Sequence, residues 1–297
     1  MVADDRALYY DTAGSVPGAD LTADSGDFDC VDRGSEMIEA GEISRRIHEH
    51  LYARSRRLYV KEVRIGLGYV GVMLEENRPG VSALLRNELS PGCRTFIKAG
   101  KLAGSHASEL LDLLVNGGNP LEKAIGLAAA NALIYPDITE ETEKNSINLM
   151  RLSPGDSVAM VGYFGPLVER IKKTGANLSI IERDSSRMNI PVRKEKDTIL
   201  RKCSVAIITA TSILNNTIEE VFNGLGNPRH VTIMGPSTPM LGEAFAQTPA
   251  THLAGSVILD PGKIMQIISE GGGTPDMRSC LRFIDKRIGH IKHQEET

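Results

Sequence analysis

The C-terminal half of the chain alternates short apolar runs with helix-start signals, and this alternation limits the fold more than any other feature. Each run has four or five residues. Turn residues come after each run, and in most cases a helical stretch follows them. Short apolar strands that alternate with helices are typical of a parallel sheet covered on both faces. The runs are 157–161, 178–181, 205–209, 231–234 and 256–259. For residues 151–297 we therefore predict an α/β domain with a parallel, doubly wound sheet.

The first half has a different order of elements. Residues 59–74 are typical of two strands joined by a turn, 81–85 of a third strand, and two helices follow from about Ser105 and from Asn119. Strands followed by helices favour an α+β domain, which we place at residues 35–150. In the second helix the centre is nearly all small residues, which predicts that another backbone packs closely against it.

Composition limits the cellular setting and the partners. The 297 residues are enough for two domains, and their net charge of −4 gives no reason to expect nucleic acid as a partner. The longest nearly apolar run, 126–135, is far shorter than the ~20 residues that cross a bilayer, so we expect no membrane partner. Residues 1–34 are polar and without periodicity, which predicts a disordered acidic tail rather than a secretion signal. Four scattered cysteines favour reduced thiols in a cytoplasmic protein.

Polar and glycine-rich segments follow the predicted strands. Parallel sheets bind ligands beyond the carboxyl ends of their strands, where helix N-termini and free backbone N–H groups converge. The alternative is that these residue types are the ordinary residues of turns and caps. The predicted ligand-binding residues at these ends are Gly162, Tyr163, Phe164, Gly165, Glu182, Arg183, Thr209, Thr211, Asn215, Gly235, Pro236, Ser237 and Thr238.

From these residues we predict a site for a small polar, anionic molecule or a metal chelate. The segments 162–165 and 235–238 would donate backbone N–H groups, and Thr209, Thr211 and Asn215 would hydrogen-bond through their side chains. Glu182 would bind a hydroxyl or an amine. A third possibility is a subunit or scaffold whose cleft binds nothing.

A nucleotide cofactor is the main alternative. Glu182 lies twenty residues after Gly162, the spacing of the acidic residue that binds the ribose in dinucleotide folds. Only part of the glycine fingerprint is present, however, and Pro166 lacks an N–H. The alternative function, an NAD(P) oxidoreductase or an S-adenosylmethionine methyltransferase, therefore remains open. The complete fingerprint at 66–71 is followed by strand residues instead of a helix, which predicts a hairpin.

Metal-ligating patterns are sparse. His290 and His293 have one-turn helical spacing at the polar C-terminal end, and Cys93 stands alone in a predicted loop. No C-x-x-C pair is present. The residues therefore predict neither a metal-ligand set nor a catalytic residue, and whether the protein is an enzyme stays open.

Several segments together resemble one family. They are 102–104, 109–111, 124–132, 161–166, 209–217 and 234–239. The chain resembles the putative heavy-metal-chelation family, prokaryotic proteins that pair a domain similar to the enolase N-terminal domain with a Rossmann-like domain. The resemblance covers about residues 36–291. It implies a cleft between the domains, a part in handling a heavy-metal ion or metal chelate, and a homodimer. It also adds Asn131 to the predicted ligand-binding residues, with capping of a neighbouring loop as its alternative role.

Overall fold

A computed structural model describes residues 37–89, 96–135, 150–182 and 193–288. The predictions made for the tail 1–34, for Arg183, for Cys93 and for the pair His290 and His293 lie outside these ranges. Within them, no helix combines the length and the apolar composition that crossing a bilayer requires.

In its described residues, the first half contains a small antiparallel sheet and three α-helices. The elements are α1 (Glu42–Ser55), β1 (Val60–Ile65), β2 (Tyr69–Leu74), β3 (Arg78–Ala83), α2 (Ala107–Asn116) and α3 (Pro120–Ile134). β2 is the central strand, and β1 and β3 pair with it in antiparallel directions. The predicted hairpin is confirmed: residues 66–71 form the turn and the start of β2, and no helix follows them.

Small residues let the backbones of this half approach one another. A Cβ atom on Gly80 of β3 would lie 2.1 Å from the carbonyl oxygen of Ala128 and 2.2 Å from the nitrogen of Ala132, both on α3. A Cβ atom on Gly126 would lie 2.2 Å from the nitrogen of Leu114 on α2. The close backbone packing predicted for the second helix is therefore confirmed.

The second half is built on a six-stranded sheet. Its strands are β4 (Ser157–Val161), β5 (Asn177–Ile181), β6 (Val205–Thr209), β7 (His230–Met234), β8 (His252–Ile258) and β9 (Leu281–Arg287). They lie in the order β5-β4-β6-β7-β8-β9, and the five strands from β4 to β8 are parallel. This confirms a mostly parallel sheet.

Two details of the predicted sheet were wrong. The fifth strand begins at His252 and not at Ser256, because its first half contains small residues that do not form a conspicuous apolar run. A sixth strand, β9, pairs with β8 in the antiparallel direction and was not predicted. β9 is an edge strand with four charged residues, so its sequence lacks the continuous apolar pattern of a central strand.

Helices cover both faces of this sheet. The described helices of this half are α4 (Gly165–Lys172), α5 (Arg193–Lys202), α6 (Ile218–Gly224), α7 (Pro261–Ser269) and α8 (Thr274–Met277). Val158 of β4 packs in the same core as Ile171 of α4, whereas its neighbour Ala159 packs in the core that contains Leu200 of α5 and Phe222 of α6. Successive residues of a strand point to opposite faces, so the two cores lie on opposite sides of the sheet.

The described parts of both halves share one hydrophobic core. Leu127 of α3 belongs to the same buried cluster as Phe245, which precedes β8. By its internal contacts Met37–Thr297 is one compact unit. The boundary between two domains near residue 150 stays a prediction.

Candidate functional site

The order of the strands reverses between β4 and β6. β5 lies on one side of β4, whereas β6 and all later strands lie on the other. Loops that leave two such strands run in opposite directions and leave a crevice at the carboxyl edge, where open α/β sheets bind ligands. The two residues that leave the strands at this point are Gly162 and Thr209, both predicted site residues.

Gly162 packs directly on the side chain of Thr209. Its φ of +88° is in the left-handed region that favours glycine. A Cβ atom at this position would lie 2.8 Å from Cγ2 of Thr209, so a larger residue would push the loop away from β6. The N–H group of Gly162 donates to the carbonyl oxygen of Ile181 at 2.9 Å, next to Glu182 at the end of β5. Gly162, Glu182 and Thr209 therefore lie at one edge of the sheet.

Two threonine hydroxyl groups meet beside this contact. Oγ1 of Thr209 lies 2.9 Å from Oγ1 of Thr211, and Thr209 also caps the short 3-10 turn Ala210–Ile213. In this hydrogen bond one hydroxyl donates its proton and the other accepts it. The accepting hydroxyl therefore keeps a proton that this bond does not use. The pair can therefore both donate a hydrogen bond to a ligand and accept one.

The loop after β4 leads into α4. Tyr163 is 55% exposed, and Phe164 packs against the core beneath α4. Within the described part of the chain, the N–H groups of Tyr163, Phe164 and Gly165 have no hydrogen-bond acceptor. The first turn of α4 contains no acidic side chain, and no side chain caps the helix.

Three of the predicted backbone donors are already used inside the protein. Gly162 donates to Ile181, Gly235 donates to the carbonyl oxygen of Ala254 at 3.0 Å, and Thr238 donates to that of Gly235 at 3.0 Å. The prediction that these three N–H groups bind ligand was wrong, because each closes a turn or extends the sheet at the end of a strand.

The loop after β7 is buried against the first half of the chain. Ser237 and Thr238 are 2% and 3% exposed. Oγ of Ser237 accepts from the N–H group of Ala83 at 2.7 Å, and Nδ2 of Asn131 donates to the carbonyl oxygen of Ser237 at 3.1 Å. Asn131 thus makes the contacts of its alternative role, because it holds a neighbouring loop. Asn215 lies farther along the chain, where its Oδ1 accepts from the hydroxyl of Thr217 at 2.7 Å.

A cleft opens between this loop, the β3–α3 pair and β8. Its volume is about 20 Å³, which is room for a water molecule. Asn131, Pro236 and Thr238, all predicted site residues, contribute to its lining. Ser256 of β8 also lines the cleft and was missed, because a serine inside a strand carries no local signal of a site.

Comparison with known proteins identifies the family. A model of the family DUF364 matches residues 145–284 and a model of DUF4213 matches residues 48–134, and both are described as putative heavy-metal chelation. The chain belongs to this family. The resemblance found in the sequence is thereby confirmed.

Other known proteins are similar to part or most of the chain. An uncharacterized protein of Methanocaldococcus jannaschii is 26% identical over 150 residues, which are 49% of this chain and 58% of that relative's length. A DUF364 protein of unknown function from Pyrococcus horikoshii has a TM-score of 0.72 at 20% identity, covering 83% of this chain and 100% of the other. One from Desulfitobacterium hafniense has a TM-score of 0.70 at 21% identity, covering 84% and 98%. At these identities the two structures show the fold alone.

The family description raises the question whether this edge of the sheet could ligate a heavy metal directly. Heavy, soft metal ions prefer thiolate and imidazole ligands. The side chains at this edge are instead the hydroxyl groups of Thr209 and Thr211 and the carboxylate of Glu182. In the described ranges no three His, Cys, Asp or Glu residues are grouped as a metal ion requires. The edge therefore does not fit a directly ligated heavy-metal ion.

A histidine pair lies at the opposite end of the sheet. His230 and His252 begin β7 and β8, and their rings are stacked with centroids 4.2 Å apart. Burial, followed by the nearby His252 and Arg229, lowers the pKa of His230 to about 4. At neutral pH both rings are therefore uncharged, because burial also lowers the pKa of His252.

Proposed function

We propose that this protein binds a small anionic molecule, or a metal ion carried by an anionic chelator, at the carboxyl edge of the six-stranded sheet. The observation that carries the proposal is the packing of Gly162 on Thr209 where the strand order reverses. The open N–H groups of 163–165 follow Gly162 directly in the chain, and Thr209, on which Gly162 packs, belongs to the hydroxyl pair with Thr211.

The electrostatics of α4 support an anion. The N-terminus of a helix carries partial positive charge and unpaired N–H groups, which together favour negatively charged ligands. The neighbouring threonine hydroxyl adds a donor from β6. Carboxylate oxygens of a chelator would accept these bonds, and the metal would remain ligated by the chelator. In this proposal Glu182 binds a hydroxyl or an amine of the same molecule.

Finer expectations belong to the same proposal. They are an enolase-N-terminal-like domain at 35–150, a Rossmann-like domain at 151–297, a ligand cleft between the two, a cytoplasmic location and a homodimer. The small antiparallel sheet with its helices and the mostly parallel sheet support the two domain types. The nucleotide-dependent enzyme has no support among the comparisons, and we do not propose it.

Titration calorimetry with the full chain tests the proposal. The probes are citrate, the preformed Ni²⁺–citrate complex and Ni²⁺ alone. We expect citrate and its complex to bind, and Thr211→Val to weaken the binding of both at least about tenfold, since a hydrogen bond to a charged group contributes about 1.5–3 kcal/mol. Thr198→Val, an exposed threonine of α5, is the matched control and should bind as the wild type does. Failure of citrate and of its complex to bind, or equal binding by Thr211→Val, would overturn the proposal.

A further inference from the structure

β5 is an edge strand with backbone groups that point away from its sheet. It pairs with β4 on one side and is the last strand of the six-stranded sheet on the other. The N–H group of Asn177 and the carbonyl oxygen of Ile181 bond to the residues that flank β4, at 2.8 and 2.9 Å. Because inward and outward groups alternate along a strand, the N–H and C=O groups of Leu178 and Ile180 point outward. Within the described residues these groups have no hydrogen-bond partner.

The other sheet edges in the described part of the chain are protected against pairing with a further strand. β9 has four charged residues, β1 has three charged residues and a register shift, and β3 contains Pro79. Charges, bulges and proline are the usual means by which proteins protect an edge strand. β5 has no charged residue and no proline, and its register with β4 is unbroken. Its edge is therefore suited to pairing with another strand.

A second copy of β5 matches the outward groups of this edge. Two-fold symmetry pairs a strand with itself in the antiparallel direction. Hydrogen-bonded residues of an antiparallel pair exchange both of their bonds, so Leu178 of each copy must lie opposite Ile180 of the other. Each of these two residue pairs forms two N–H···O bonds, and together they use every outward group of Leu178 and Ile180. Ser179 then lies on the two-fold axis, opposite Ser179 of the second copy.

The side chains are compatible with the same register. Leu178 and Ile180 lie on one face of β5 and pack against the core that contains Ile171 of α4. In the paired strands the two apolar side chains are cross-strand neighbours, and such pairs stabilise a sheet. The strand brings no like charges together, because Asn177–Ile181 contains no charged residue.

We propose that β5 is the interface of a homodimer in which two six-stranded sheets join through Leu178 and Ile180. The proposal goes beyond the expectation of a homodimer, because it names the strand, the register and the bonded atoms. In this register Asn177 of the second copy lies opposite Ile181, the residue before Glu182. The interface does not rest on the proposed ligand, since its bonds are formed by backbone groups of β5 alone.

Sedimentation velocity with the full chain tests the interface. We expect a monomer–dimer equilibrium in the wild type. Ser179→Lys would bring two ammonium groups together at the two-fold axis, and like charges directly opposite each other destabilise a strand pair. We expect this variant to weaken dimerisation at least about threefold. Ser279→Lys, at an exposed serine just before β9 on the other side of the sheet, is the control and should dimerise as the wild type does.

Cysteine variants test the register. Opposite residues that are not hydrogen-bonded have Cα atoms about 4.5 Å apart, which is within the range of a disulfide. Ser179→Cys should therefore form a disulfide-linked dimer when the protein is oxidised with diamide. Asn177→Cys lies on the same strand and the same face, but it faces Ile181 of the second copy and should not cross-link. It is the matched control.

The native cysteines need not interfere with this assay. Both variants are made with serine at Cys30 and Cys93, and the remaining Cys203 and Cys280 are buried. A wild type that stays monomeric, or equal cross-linking by the two variants, would overturn the inference. The proposed function fails separately: if citrate does not bind, the expected cross-linking is unchanged, and a monomer that binds citrate contradicts the dimer interface alone.

Discussion

The side-chain amide of Asn131 donates to the carbonyl oxygen of Ser237, 106 residues later in the chain, at a distance of 3.1 Å. Its second N–H group donates to the carbonyl oxygen of Val81 at 2.8 Å, and the hydroxyl of Ser237 accepts from Ala83 at 2.7 Å. These bonds join α3, β3 and the loop after β7. Asn131 therefore positions one wall of the cleft.

Replacing this amide by a carboxylate should destabilise the protein. In Asn131→Asp a negative charge would face two carbonyl oxygens, and both would lose their donor. We expect the free energy of unfolding in urea at pH 7 to fall by about 2–4 kcal/mol. Asn177→Asp, at an exposed asparagine of β5, is the control and should change it little. Equal losses in the two variants would show that Asn131 does not hold the loop.

Gly162→Ala should strain the loop at the reversal of the strand order. The φ of +88° disfavours alanine, and its Cβ would overlap the methyl group of Thr209. We expect a loss of about 1–3 kcal/mol in urea unfolding, together with weaker citrate binding. At Gly155 nothing lies within 4 Å of the position that a Cβ atom would take, so Gly155→Ala should be neutral or slightly stabilising. Similar stability in both variants would contradict this account.

Gly80→Ala should be the more damaging change. The added methyl group would lie within 2.2 Å of backbone atoms of Ala128 and Ala132, and a helix backbone cannot move aside as a side chain can. We expect the free energy of unfolding to fall by more than about 3 kcal/mol. Gly68→Ala, in the turn of the same sheet and with nothing nearby, serves as the control. A stable Gly80→Ala variant would mean that β3 and α3 do not pack as described.

The histidine pair predicts how stability depends on pH. The pKa of His230 is about 4 in the folded protein, whereas the ordinary value of a histidine is 6.5. The unfolded chain therefore binds the proton more readily than the folded protein does. Stability from the neutral ring is fully present above about pH 6.5 and is lost as the pH falls towards 4, by up to about 3 kcal/mol. Urea unfolding between pH 4 and 7 should show this loss.

The variant His230→Gln separates this effect from that of other groups. Glutamine can still hydrogen-bond to the hydroxyl of Thr232, which His230 contacts at 2.7 Å, but it does not titrate. Its stability should therefore depend less steeply on pH in the same range. Asp156, whose pKa is lowered below its ordinary value by hydrogen bonds from Arg229 and Ser204 that outweigh its burial, affects stability only under more acidic conditions. Identical pH profiles of variant and wild type would refute the assignment.

Features carried by neighbouring residues could be predicted from the sequence. Asn119 and Pro120 predicted the start of α3. In the structure the side chain of Asn119 accepts a hydrogen bond from the N–H group of Glu122 at 3.0 Å. The residues after 71 continued an extended pattern, which distinguished a hairpin from a phosphate loop. Caps, turns and apolar periodicity each depend on a few consecutive residues, so they can be recognised in the sequence alone.

The sequence by itself determined the strand–helix alternation, most strand positions and the sheet edge on which glycines and hydroxyls gather. Only the tertiary structure decided that Gly162 donates within the sheet, that Asn131 holds the loop of Ser237, and that Ser256 lines a cleft. Each of these depends on how closely backbones distant in sequence approach one another. That approach is determined by the packing of whole elements, such as β3 against α3, and not by any pattern of adjacent residues.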